Sequence, residues 1–492
     1  MGIIVRQSIS NTVISYIGIA LGFVLTILMF PHILTPDQYG LTRVLISASF
    51  ISSQFAHLGF QNLVIRYYPF FKKAAPEKHG FLFWIITIPV IGFLIFSAVY
   101  LVASDTIIQY YSERSPLFVD YYLWVIPLTL FIIYFEVLNN YLRSLRDSTT
   151  GSVVNEVLQR FISIIVLAIY FFEWISFGQF ITFFILSYLS QPLIVGIQIW
   201  RKQELQLVPN FSIIRKKLIK GMASYSLYSM LGGLTTVIVW NVDIMMLGSM
   251  AGLDDTAVYS IAFYICTVIT VPQQSIYKIA APLLSDFIKS KQWGEVETIY
   301  KKSSLNQIIP GLLIFGLIWL HLDKLYMILP DIYAAGLWVV FIVGIGKLTG
   351  MVCGLNGVIL SNSKHYRVSF YTNIILVVIT VVANYLLIPA YGIEGAALAS
   401  AMAIIIYNGV KYLYVLIKMK LQPFSMKTLW VILLGAFTIY ISHAWVDFSS
   451  IWLDMVIKSI IFPLTFLAPI LYFKVSPDIN ELLESLRTYL AR

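Results

Sequence analysis

Phe81-Leu-Phe-Trp-Ile-Ile-Thr-Ile-Pro-Val-Ile-Gly-Phe-Leu-Ile-Phe-Ser-Ala-Val-Tyr-Leu-Val-Ala103 runs twenty-three residues without a charged side chain. A helix needs about 20 mostly apolar residues to cross a bilayer, so this stretch reads as a span. Thirteen more candidates surround it. Before it lie 9–34 and 41–65; after it come 121–142, 155–174 and 178–200. A second series covers 221–250, 256–284, 304–321, 335–360, 368–390 and 394–417, followed by 428–446 and 453–473. The composition agrees. Of 492 residues, 59% are hydrophobic and 12% charged, with a mean hydropathy of +0.83. Soluble proteins are about a quarter charged, and a soluble fold of this length could not hide so much apolar surface. A soluble enzyme, a disordered chain and a nucleic-acid-binding domain are excluded. The expected class is an all-α polytopic membrane protein with about fourteen helices. The opening Met1-Gly-Ile-Ile-Val-Arg6 has one Arg before an apolar run, but no A-x-A site follows, so 9–34 is taken as the first helix.

The net charge is +9, and its placement reports topology. With the N-terminus in the cytoplasm, 25 of the 33 Lys and Arg residues fall on inner segments. Only Arg114 and Lys324 fall outside, and six stay within spans. A missed or extra span would scramble that alternation. Both termini are therefore expected in the cytoplasm, in a cell inner membrane.

The polar stretch 201–220 separates two blocks of six spans. The blocks echo each other at offsets near 215–220 residues: Thr35-Pro-Asp-Gln-Tyr-Gly40 against Gly252-Leu-Asp-Asp-Thr-Ala257, and Tyr141-Leu-Arg-Ser144 against Val358-Ile-Leu-Ser361. Six is even, so the repeat should be parallel, a transporter architecture. The expected domains are an N-lobe (1–200), a cytoplasmic linker (201–220), a C-lobe (221–420), spans thirteen and fourteen (421–475) and a cytoplasmic tail (476–492). That tail reads as amphipathic, with Ile479, Leu482, Leu483 and Leu486 on one face.

The six cations inside spans are Arg43, Arg160, Lys278, Lys347, Lys411 and Lys458. A cation in hydrocarbon costs at least ~2.5–3.5 kcal/mol on insertion scales, so such residues normally face a wet cavity or a partner. Arg43, Lys411 and Lys458 lie near span ends, where snorkelling explains them equally well. Lys347 is about 12 residues into its span, or ~18 Å at 1.5 Å per residue, close to the midplane. The embedded acids Asp243 and Glu136 are candidates either for ion coupling or for structural pairing with Arg43, Arg160 or Lys347. Asn62, Asn140, Asn241, Gln273, Gln274 and Asn356 are candidate sugar contacts, each readable also as a helix–helix hydrogen bond. Cys266 and Cys353 sit in apolar runs, where cysteine is a packing residue. No metal signature, cofactor motif or catalytic constellation is present, and Gly344-Ile-Gly-Lys347 lacks the spacing of a phosphate loop.

Several segments resemble the Wzx-type polysaccharide and O-antigen flippases of the multidrug/oligosaccharidyl-lipid/polysaccharide exporter superfamily. They are Gly22–Pro31 through Leu34-Thr-Pro-Asp-Gln-Tyr-Gly40, His57-Leu-Gly-Phe-Gln-Asn-Leu-Val-Ile-Arg66, Asn241-Val-Asp-Ile-Met-Met-Leu-Gly248, Val258-Tyr-Ser-Ile-Ala262, Ala281-Pro-Leu-Leu-Ser285 and Asn384–Ser400. The resemblance spans the first twelve helices and carries over local matches at Arg66, Asp243 and Tyr259. It implies a V-shaped, two-lobed transporter that moves undecaprenyl-pyrophosphate-linked oligosaccharide from the cytoplasmic to the periplasmic leaflet, in the synthesis of cell-surface polysaccharide such as that of lipopolysaccharide. The implied partners are that lipid-linked oligosaccharide and the bilayer, with a polysaccharide polymerase and chain-length machinery as candidates. A pyrophosphate needs cations, for which Arg43, Arg66, Arg160, Lys278 and Lys347 are the expected set. Three alternatives stay open: a peptidoglycan-precursor flippase, a multidrug or cation antiporter, and a membrane-embedded glycan polymerase or ligase. An antiporter cavity should be acidic, whereas this chain embeds more bases than acids. A polymerase commonly carries a large outer loop, whereas the longest here, about 104–120, is short.

Overall fold

The computed structural model describes residues 3–74, 80–205, 207–211, 216–444, 450–481 and 484. Every regular element described is helical. In chain order they are α1 (Ile3–Phe23), α2 (Phe30–Ile33), α3 (Pro36–Ala56), α4 (Phe60–Ala74), α5 (Phe81–Val102), α6 (Ser104–Ser112) and α7 (Pro116–Tyr121). Then come α8 (Val125–Ser144), α9 (Thr149–Val153), α10 (Gln159–Phe171), α11 (Phe177–Arg201), α12 (Lys216–Met250) and α13 (Leu253–Thr267). The remainder are α14 (Val271–Lys289), α15 (Trp293–Ile328), α16 (Leu337–Val352), α17 (Asn356–Asn362), α18 (Tyr366–Tyr414), α19 (Met426–Ala444) and α20 (Ile451–Tyr472).

Among the described residues, eleven helices are long and apolar enough to cross a membrane. The number is twelve if α12, bent by 50° between Thr235 and Val237, counts as one. The protein is thus an all-helical polytopic membrane protein. Two features lower that number relative to fourteen. α18 is continuous over 49 residues except at Gly392, whose φ of +55° and ψ of −130° break the helix where the sequence turns from 368–390 to 394–417. The run 41–65 is divided between α3 and α4 by Gly59 at φ +75°, and α3 carries Asp37, Arg43 and several hydroxyls.

Helix starts follow their local chemistry. At α3 the Thr35 side chain accepts from the Gln38 amide while the Gln38 side chain accepts from the Thr35 amide, with Pro36 next in line. Ser176 and Gln179 repeat that reciprocal cap at α11. Such caps satisfy amide groups that the first helical turn leaves without partners.

The chain forms two compact units, Met1–Ala257 and Val258–Arg492. In the first, α3 packs on α8 and α12, and α4 on α8 and α12. Its core includes Tyr68, Phe71, Phe81 and Tyr141, with Phe71 stacked on Phe81 at 4.4 Å. In the second, α16 packs on α18, and α15 carries both α19 and α20. Of the tail's expected apolar face, Ile479 is described, whereas Leu482, Leu483 and Leu486 lie outside the described residues. The tail's start is clamped to α15: Asp478 accepts from Lys302 at 2.9 Å and from Asn306 at 2.7 Å. Burial raises the Asp478 carboxyl, but these two donors and the Lys302 charge outweigh it and hold it below its ordinary value.

Gly40 marks a close helix approach in the first unit that a single methyl group would break. A Cβ there would sit 2.0 Å from the Leu253 carbonyl oxygen and 2.7 Å from its carbon. Backbone cannot rotate aside as a side chain can, so Gly40→Ala forces the start of α3 away from Leu253. We expect a loss of about 1–3 kcal/mol, read as a lower apparent Tm of the detergent-purified protein. A Tm equal to wild type would refute this contact.

Candidate functional site

The expected ligand residues fall on both units. In the first, Arg43 of α3 and Arg160 of α10 both lie within electrostatic reach of Tyr188 of α11. Arg43 is half-buried, and its Nε is enclosed without a hydrogen bond. Arg160 is tied down. Its Nη2 pairs with Glu156 Oε2 at 3.0 Å, and its Nη1 donates to the Gly18 carbonyl on α1. Glu156 escaped the sequence reading, although a Glu four residues before an Arg is the stronger orientation of a helical ion pair.

Glu136 does not take that role. Its Oε2 is buried without a hydrogen bond, and it makes no ion pair with Arg43 or Arg160 among the described residues. Asp243 is buried in α12, 2% exposed. Arg66 is exposed and stacks over the Tyr225 ring at 4.3 Å, with Tyr67 at 5.9 Å. Asn62 is also exposed. Asn140 donates to the Gln61 carbonyl at 2.9 Å, and Asn241 to Val237 in its own helix. These two bonds serve packing and local helix geometry.

In the second unit, Lys347 lies in α16 and is 7% exposed. Its ammonium sits 4.6 Å from the centre of the Phe263 ring of α13, within electrostatic reach of Cys266. An ammonium over an aromatic face recovers about 0.5–2 kcal/mol, which offsets part of its desolvation. Lys278 and Gln274 are exposed and Gln273 is half-buried. None of the three is placed beside Lys347 by a contact.

Lys411, one of the six cations within spans, is deeply enclosed. Its place near a span end leaves snorkelling and function equally open, and in the structure it is 3% exposed. Its ammonium donates to the Tyr407 hydroxyl and lies 3.8 Å from that ring's centre. Tyr407 in turn donates to Asn373 at 2.8 Å. Asn356 faces Asn408 at 3.5 Å, and a Cβ on the adjoining Gly357 would stand 3.4 Å from Lys411 Nζ. One polar cluster inside an apolar unit thus joins Asn356, Asn408, Tyr407 and Lys411. Lys458 is buried too, paired with Asp454 at 3.0 Å. Cys266 and Cys353 are buried and unbonded to each other. Among the described residues no three His, Cys, Asp or Glu side chains gather as a metal site would require.

The fold and its embedded cations can be set against known proteins. The fold is similar to that of a lipid II flippase, MurJ, in an inward closed conformation: 14% identity, TM-score 0.72, 96% of this chain and 99% of that one. It is similar to an inward-facing multidrug resistance MATE family transporter of the MOP superfamily, at 17% identity, TM-score 0.61, 84% of this chain and 97% of that one. A MOP superfamily transporter from Pyrococcus furiosus, described as having a binding pocket of reversed polarity, matches at 15% identity and TM-score 0.53 over 83% and 94%. No curated protein sequence matches this chain. At 14–17% identity these likenesses show a shared fold. The family profile described as polysaccharide biosynthesis protein matches residues 4–288. The chain belongs to that family.

Proposed function

We propose that this protein moves a lipid-linked oligosaccharide, carried on undecaprenyl pyrophosphate, from the cytoplasmic to the periplasmic leaflet by alternating access. The observation that carries the reading is the set of cations embedded in helices of a polysaccharide-biosynthesis family member: half-buried Arg43 and Arg160 within electrostatic reach of Tyr188, and buried Lys347 over Phe263. A pyrophosphate cannot cross hydrocarbon without opposite charge, while its acyl tail stays in lipid. The amide groups near these helices suit sugar hydroxyls. Fourteen spans in two six-helix lobes plus two are the architecture this reading uses. The Gly392 break and the α3–α4 pair supply the spans that hydropathy alone does not count. Both termini face the cytoplasm in this arrangement, an orientation the charge distribution supports. Inside-negative potential then favours outward movement of the anion by ~2.3 kcal/mol per charge per 100 mV.

The fold likeness to a lipid II flippase, over nearly the whole of both chains, favours a second reading in which the sugar is a peptidoglycan precursor. Reconstitution separates them. Proteoliposomes receive fluorescent polyprenyl-pyrophosphate glycan or fluorescent lipid II, and leaflet exposure is read by quenching from outside. We expect the glycan to flip at least tenfold faster than in empty vesicles, and faster than lipid II. Flipping of lipid II alone would select the second reading. Flipping of neither, by folded protein, would defeat both.

A further inference from the structure

A basic pocket of about 630 Å³ opens on the first unit, lined by neither Arg43 nor Arg160. Its walls are the end of α4, the turn after α8 and the turn after α11. Four cations line it, Lys72, Lys73, Arg146 and Lys202, with a single carboxylate, Glu204. Its charge does not cancel. Lys72 pairs with Glu204 at 3.3 Å, and Lys202 with Asp147 just behind the wall at 3.4 Å. Lys73 and Arg146 make no ion pair among the described residues, so the pocket keeps two positive charges.

Asp147 is a fixed part of the wall. Its carboxylate accepts from Gln198 at 3.1 Å and from both the amide and the hydroxyl of Thr150. Burial raises its carboxyl, but these donors and Lys202 outweigh that and hold it below its ordinary value. It therefore stays charged and keeps Lys202 in place. Arg146 stands at φ +62°, closing α8 with the Asp147 amide bonded back to the Leu142 carbonyl at 2.9 Å. Glycine suits that left-handed position best; here the residue is an arginine whose side chain is exposed at the rim.

Beside these charges the same helix turns apolar. Ile65 and Phe70 of α4 are 45% and 49% exposed. On another side of α4 lies an almost wholly apolar cavity of about 670 Å³, lined by Phe60, Phe71, Trp84, Ile88, Met222 and Leu227 among others. Basic residues at a cytoplasmic membrane face are expected from topology alone. Topology does not require two uncompensated cations to converge on a cavity floored by Tyr68, nor that cavity to adjoin apolar surface.

We propose that this pocket binds the phosphate group of an anionic lipid from the adjacent leaflet, with the lipid's chains lying along the apolar side of α4. Lys73 and Arg146 supply the charge-assisted hydrogen bonds, and Lys72 and Lys202 exchange part of their carboxylate contacts for the phosphate oxygens. Two sources share this chemistry: a bilayer phospholipid, and a polyprenyl diphosphate awaiting transport.

The test is binding by the full-length purified protein, with no transport readout, so its result is independent of the flipping assay. The probes are nanodiscs of phosphatidylglycerol against phosphatidylcholine, farnesyl diphosphate, and inorganic pyrophosphate. The variants are Lys73→Gln with Arg146→Gly, the latter chosen because glycine fits the local backbone, and Lys73→Gln alone. Apparent Tm must match wild type for the binding comparison, and the single variant serves if the double one falls short. We expect the double variant to lose at least tenfold in affinity for phosphatidylglycerol, for farnesyl diphosphate, or for both. Loss confined to phosphatidylglycerol assigns the pocket to bilayer lipid; loss for farnesyl diphosphate assigns it to the transported class. Unchanged affinity for both probes in a folded variant overturns the proposal. So does wild-type protein binding inorganic pyrophosphate as tightly as farnesyl diphosphate with no preference for phosphatidylglycerol, since the lipid would then contribute nothing.

Discussion

Asp454→Asn is expected to destabilise the second unit by about 3–5 kcal/mol, the usual cost of removing one partner from a buried ion pair. Asp454 is 1% exposed and holds two lysines. Lys458 pairs with it at 3.0 Å from one turn further along α20, and Lys324 reaches it from α15. The Asp454 and Lys458 side chains are 1% and 5% exposed, and that of Lys324 is 16% exposed. Water therefore cannot take over when the carboxylate is neutralised. The variant leaves two ammonium groups facing each other across the α15–α20 contact. We expect a sharply lower Tm and a poor yield of monodisperse protein in detergent. Replacing all three residues together, Lys324→Met, Asp454→Leu and Lys458→Met, should recover most of the loss, because an apolar substitute for a buried ion cluster is often neutral. Lys458→Met alone should be mild, since Lys324 still neutralises Asp454. An Asp454→Asn protein with wild-type Tm would show that the triad carries no stability.

That triad also marks what a sequence can and cannot tell. Asp454 and Lys458 are four residues apart, a spacing that on a helix puts them on one face. That spacing makes their pairing legible, whereas span position alone leaves Lys458 open between snorkelling and function. Lys324 is 130 residues away, and its placement opposite Asp454 is a consequence of packing. Counting hydropathy alone assigned it to an outer loop, whereas α15 continues to Ile328 and includes it. The same division holds for the candidate site. Glu156 and Arg160 share a helix, and their contact follows from spacing. Arg43 on α3 is far in the chain from Arg160 on α10 and Tyr188 on α11, and only the fold brings them within electrostatic reach. Membrane spans were the most legible feature, because a bilayer demands length and apolarity together. Their number was read less directly where a helix was polar, as in α3, or where one glycine interrupts continuous hydrophobicity, as at Gly392. Lys411 stays open in the sequence for a related reason. Distance from a span end measures depth only for a helix facing lipid, and Lys411 faces Tyr407 and the asparagines instead.

Lys347 offers the sharpest test of the transport reading, because its two expected effects have opposite signs. An ammonium so deep in an apolar helix costs stability, at least ~2.5–3.5 kcal/mol on insertion scales, of which the Phe263 ring recovers only a part. Methionine has nearly the same length and no charge. Lys347→Met should therefore fold at least as well as wild type, with a Tm equal or higher. If the charge serves only packing, glycan flipping in proteoliposomes should persist alongside that stability. If it meets the pyrophosphate, flipping should fall to below about a tenth of the wild-type rate, while Lys347→Arg, which keeps the charge, retains a measurable fraction. Arg160→Gln is a weaker probe, because it also strands Glu156 and so mixes loss of ligand contact with loss of fold. A Lys347→Met protein that is stable and flips glycan at the wild-type rate would remove the second unit's cation from the mechanism. A stable but inactive one would mean that a destabilising charge is retained for its effect on the substrate, as expected where function and stability compete at a single residue.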